Sequence, residues 1–85
     1  MNIMPISEPG CHRTGEICGY TADQISSILG FAPNVQDDPD KVSHSWGFLA
    51  DGIQCGIWSY KGSEKYNNFS TYGPKNVFDT LFPSK

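Results

Sequence analysis

Ser43-His44-Ser45-Trp46-Gly47-Phe48-Leu49-Ala50-Asp51-Gly52-Ile53-Gln54-Cys55-Gly56-Ile57-Trp58-Ser59-Tyr60 sets Asp51-Gly52 between two runs of alternating character. A type I′ turn needs φ > 0 at both central residues, and Asp-Gly is a pair that supplies it. That turn fixes a register: Ala50 opposite Ile53, Leu49 opposite Gln54, Phe48 opposite Cys55, Gly47 opposite Gly56 and Trp46 opposite Ile57. Side chains alternate along a strand and cross-strand partners share a face. One face therefore carries Trp46, Phe48, Ala50, Ile53, Cys55 and Ile57, which is wholly apolar and reads as the core side. The other carries Ser43, Ser45, Gly47, Leu49, Gln54, Gly56, Trp58 and Tyr60, with Trp58 opposite Ser45 and Tyr60 opposite Ser43. This mixed face is expected to be open to solvent or to a partner.

Upstream, Thr21-Ala22-Asp23-Gln24 has the form of a capping box, with Asp23 suited to the first turn of a helix. Ile25, Ile28 and Leu29 follow at i, i+3 and i+4, and Gly30 in a left-handed conformation with Phe31 as hydrophobic closure suits a Schellman ending, so the spacing predicts a helix over 21–29. Residues 1–19 hold Pro5, Pro9, Gly10, Gly15 and Gly19 and read as an irregular N-terminal arm, in which Ile3, Met4 and Ile6 suit a short edge strand. Downstream, Phe69-Ser70-Thr71-Tyr72 predicts a third strand. Gly73-Pro74 then opens a helix over 74–82 with Pro74 at its first position, an apolar stripe of Val77, Phe78, Leu81 and Phe82, and Pro83 as its stop. The expected fold is α+β and a single domain over 1–85. It has an antiparallel sheet of three to four strands around a central hairpin (43–60), with two short helices on the Trp46 face.

Composition narrows the function. The 85 residues are 38% hydrophobic and 18% charged, unlike a disordered chain, and no apolar run approaches the ~18 residues of a spanning helix. A formal charge of −3 argues against a protein that binds nucleic acid by neutralising phosphates. A chain of this size buries only ~60–65% of its unfolded surface, so a homodimer would help the core and a deep walled active site is hard to build. Met1 to Gly10 lacks the basic and apolar regions of a signal peptide, so the reducing cytoplasm is the expected compartment. Cys11, Cys18 and Cys55 are odd in number, which counts against a disulfide framework, although Cys11–Cys18 pairing stays open. Zinc binding by Cys11, His12, Cys18, His44 and Cys55 lacks the usual spacing, and no metal or other cofactor is expected. His44 and Cys55 share the core face but stand ~10–14 Å apart along the strands, beyond proton-transfer reach. No catalytic residue is assigned.

What remains is a binding surface. Trp58 and Tyr60, with Gly47 and Gly56 beside them and Leu49 and Gln54 further along, would form a shallow trough with an aromatic wall. The competing reading has residues 1–19 lying over this trough. Asp37, Asp38 and Asp40 form an acidic loop suited to steering a partner. Such a face would also suit a small ligand, a nucleotide or single-stranded nucleic acid, since bases stack on aromatic rings.

Ser45-Trp46-Gly47-Phe48, Asp51-Gly52, the run from Cys55 to Ser63 and Phe69-Ser70-Thr71-Tyr72-Gly73-Pro74 resemble small accessory proteins of bacteriophages and prophages, over residues 21–82. The resemblance implies a non-enzymatic protein in a host cell that binds and modulates a host protein, with inhibitors of the anti-CRISPR kind as one such role. A virion assembly accessory is another. It implies no catalytic residue, no cofactor and no membrane.

Overall fold

Hairpin geometry in the computed structural model follows from the turn. Residues 1–7, 12–35, 42–60 and 68–83 are described. Asp51 has φ 51° and Gly52 φ 84°, the pair of left-handed conformations that a type I′ turn requires. Strands β3 (Val42–Ala50) and β4 (Ile53–Tyr60) flank this turn, and all five pairs expected between Ala50/Ile53 and Trp46/Ile57 are present. One pairing differs. The register shifts between Val42 and His44, so Tyr60 opposes Val42 and not Ser43. Ser43 is the extra residue of this irregularity, and its hydroxyl meets Ser59 Oγ at 2.9 Å.

Among the described residues the sheet has five strands where three to four were expected. Besides β3 and β4 it contains β1 (Ile3–Pro5), β2 (Gly15–Cys18) and β5 (Asn68–Tyr72), in the order β1-β3-β4-β5-β2. Every pair is antiparallel. The arm read as irregular therefore contributes both outer strands, one at each edge. Neither is long enough to show an alternation of its own, and each takes its extended form from the strand it pairs with. β1 is also tied to the turn itself. The Asn2 N–H donates to Asp51 Oδ1 at 2.8 Å, and the Asp51 N–H donates to the Asn2 carbonyl at 2.9 Å.

Helix α1 (Ala22–Leu29) has both arms of the capping box. The Gln24 N–H donates to Thr21 Oγ1 at 3.2 Å, and the Thr21 N–H donates to Gln24 Oε1 at 2.9 Å. At the other end Gly30 takes φ 92°, and its N–H returns to the Ser26 carbonyl at 2.8 Å, the simple left-handed ending. Helix α2 (Lys75–Leu81) begins one residue later than expected. Pro74 caps it with extended backbone instead of occupying its first turn, and its missing N–H is no loss there.

Both helices lie on the face the pattern assigned to the core, although Ile53, placed on that face, is exposed beside the turn. Ile25 and Leu29 of α1 and Val77 and Phe78 of α2 join Trp46, Phe48, Cys55 and Ile57 in one buried cluster. Trp46 is fully buried, its ring edge-on to Phe69 at 5.8 Å, and its Nε1–H donates to Ser26 Oγ at 3.3 Å. The strand is thereby fastened to α1 through an apolar ring with its one polar atom satisfied.

Replacing Gly52 with Val puts a β-branched residue at φ > 0 and should cost ~1–2 kcal/mol or more. A urea melt of the variant measures this, and a midpoint unchanged from the parent would contradict the turn assignment.

Candidate functional site

The second face of the sheet holds the expected site residues in rows. Leu49 pairs with Gln54, Gly47 with Gly56, and Ser45 with Trp58. β5 extends two of these rows, with Tyr72 beside Gly56 and Ser70 beside Trp58. The cross-strand neighbourhood of Trp58, Gly47 and Gly56 is thus as the register implied. Tyr60 stands at the end of its strand and is 46% exposed. Asp37, Asp38 and Asp40 lie outside the described residues, as do Cys11 and the segment 61–67.

The expected openness is not found. Trp58 is only 7% exposed, and Gly47 and Gly56 are buried. Trp58 is no member of the helix-covered core cluster, so the second face buries large side chains as well. On this face Trp58 stands between Ser45 and Ser70, the large group in a row of small ones. Both described ends of the connection from β1 to β2 also lie at this face. Ile6 and Ser7 border a depression with Leu49 and Gln54, and the His12 ring stands edge-on to Tyr72 at 5.2 Å. The trough is therefore part of the folded interior at Trp58 and reaches solvent at its margins.

Asn34 has a specific role at this face. Its Oδ1 accepts the Gly47 N–H at 2.9 Å, and its Nδ2 donates to the carbonyls of Ile6 at 2.8 Å and Gly47 at 3.2 Å. The N–H groups of Asn34 and Val35 both donate to the Ser45 carbonyl, at 3.1 and 3.2 Å. The side-chain amide imitates a backbone unit and continues the covering of the β3 edge where β1 ends. Asparagine in an Ala-Pro-Asn sequence gives no local sign of this, because its partners are remote in the chain.

The nucleophile candidates are embedded in the fold. Ser59 Oγ lies 3.5 Å from His44 Nδ1, but Ser59 is 1% exposed and His44 stacks on Trp46 at 5.9 Å. A substrate cannot reach that hydroxyl without unfolding the strand. Cys55 pairs with Phe48, is fully buried and donates to the Ile53 carbonyl at 3.5 Å. Burial pushes its thiol up from the ordinary 9.0, against a smaller opposing effect from a backbone hydrogen bond at Ala50. Cys18 is exposed on β2. Among the described residues no three His, Cys, Asp or Glu side chains gather as a metal would need. Among the described residues no helix is long and apolar enough to cross a membrane. No family model, curated protein or solved structure matches the chain.

Two outcomes follow from the burial. Trp58→Ala should lose ~3–5 kcal/mol in a urea melt, as a buried aromatic does, whereas an exposed tryptophan would be nearly neutral. Cys55 supplies the second. Below pH 9.0 its thiol is neutral in both states, while above it the unfolded chain ionises and the folded one resists. Stability should therefore fall as pH rises past that value, and Cys55→Ala should fall less steeply. Parallel slopes for the two proteins would contradict the assignment.

Proposed function

We propose that this protein is a non-enzymatic interaction module that binds and modulates a host protein, and that its contact surface is centred on the tip of the β3–β4 hairpin. The observation that carries this reading is a concentration of exposed apolar side chains. Met4 is 61% exposed, Met1 53% and Ile53 47%; Met4 lies in the Leu49/Gln54 row and Ile53 in the Ile3/Ala50 row, so these two flank the Asp51-Gly52 turn on opposite faces. Half-buried Leu49 and Gln54 border a depression of about 470 Å³ beside them, with Pro5, Ile6 and Ser7. Methionine adapts its shape to a partner, and apolar groups gathered at one place on a small protein are a feature of interaction sites.

Leu49 and Gln54 thus remain in the proposed surface, and Trp58 leaves it as a direct contact. The loss of Trp58 as an accessible ring also counts against the stacking platform that a nucleotide or single-stranded nucleic acid would use. The resemblance to phage and prophage accessory proteins supplies the context, a cytoplasmic host target of the kind that anti-defence inhibitors engage.

The test is an affinity pulldown from a host lysate with mass spectrometry, followed by calorimetry on whatever protein is recovered in stoichiometric amount. Met4→Asp with Ile53→Asp should leave the melt close to the parent's, since exposed positions contribute little to stability. The same pair should weaken the complex at least ~30-fold, because ~2 kcal/mol or more of interface energy commonly rests on a few central side chains. Full affinity in the folded double variant would move the surface elsewhere.

A further inference from the structure

The geometry points to a second binding site, independent of the hairpin tip: the outer edge of β2 takes an extended peptide as an added strand, in the cleft between that edge and α2. Among the described residues no strand pairs the outer side of β2. A cleft of about 490 Å³ runs along it, and residues 14–18 all border it. Thr71 and Gly73 border it as well, so the cleft undercuts the β2 edge on the side of α2. The opposite wall is α2, through Lys75, Phe78, Asp79 and Phe82 at i, i+3, i+4 and i+7.

Each feature of the cleft specifies part of the occupant. A strand edge presents alternating N–H and C=O groups, and an extended polypeptide backbone is the partner with the matching alternation. The floor is apolar. Ile17, Phe78 and Phe82 are buried there, and Gly15, having no side chain, leaves Thr71 as its neighbour. The rim is charged but balanced. Lys75 Nζ meets Asp79 Oδ2 at 2.7 Å, and Arg13 meets Glu16 Oε2 at 2.9 Å, all four side chains being more than half exposed. No net field therefore selects an acidic or a basic ligand. Recognition falls to backbone pairing and to apolar side chains at alternate positions, directed at the Phe78 and Phe82 floor.

The length of the edge favours a peptide over a second copy of the chain. A stable protein interface engages ~20–30 residues a side, and β2 offers an edge of four residues. In an antiparallel pairing of two β2 edges, a second copy would also bring its own α2 to the same side, where the first already forms the wall. The opposite edge is less suited to such pairing, because β1 has three residues and Pro5 ends it.

The test uses the full chain and a displayed library of random seven-residue peptides, with the best binder then made synthetically. The expected result is enrichment of sequences with apolar residues at alternate positions, and slowed amide exchange in residues 15–18 when the synthetic peptide is bound. Asp79→Trp fills the cleft from a side chain that is 61% exposed. It should weaken the peptide at least tenfold with an unchanged melt, while Met4→Asp at the hairpin tip leaves peptide affinity as it was. No enrichment over an unrelated immobilised protein would overturn the proposal. A bound peptide that leaves exchange at residues 15–18 unaltered, or that adopts a helix, would overturn it equally.

Discussion

Two residues with φ > 0, Asp51 and Gly52, fix which side chains of the long hairpin face which way. A slip of one position would exchange the faces along the whole strand pair. With the register as it is, Trp46 is directed to the helices and Trp58 to the other side. The same turn also receives β1, because Asp51 exchanges two hydrogen bonds with Asn2. One short turn therefore specifies the sheet centre, the helix-covered face and one of the edges.

The consequence for function is that both faces of the sheet are taken up in folding. An 85-residue chain has little apolar surface to spare, and burying a tryptophan on each face of the sheet, Trp46 of β3 on one and Trp58 of β4 on the other, is how this one secures its core. The price is that neither face remains available as a broad recognition platform. Contact with other molecules is left to the perimeter, where the hairpin tip exposes Met4 and Ile53 and the β2 edge faces a helix across a cleft. Reactive groups follow the same division. Cys55 and Ser59 are enclosed in the interior, while Cys18 is exposed at the perimeter.

The features legible in the sequence are those whose causes are local. The turn pair, the period-two alternation and the Thr21–Gln24 capping box each act within a few residues, and each was found where expected. The assignment of Trp46 and Phe48 to the core depended only on those features. What could not be read has remote causes. Gly15–Cys18 is a strand because β5 offers it an edge, whereas the edge strand at Ile3–Pro5 falls where Ile3, Met4 and Ile6 suggested one. The Ser43 irregularity follows from its hydroxyl reaching Ser59, sixteen residues away. Asn34 caps the edge of β3 through Gly47 and Ile6. For Trp58 the face was legible from the register and the burial was not.

The claim that both faces are closed can be measured on the unmodified protein, because the chain contains two tryptophans and they lie on opposite faces. Acrylamide quenching of the native fluorescence reports on both at once. The expected result is blue-shifted emission with a single shallow quenching slope, rising to that of free indole only when the protein is unfolded in urea. A native component that emits at longer wavelength and is readily quenched would show one tryptophan open to solvent, and would return the second face to the role of an exposed binding surface.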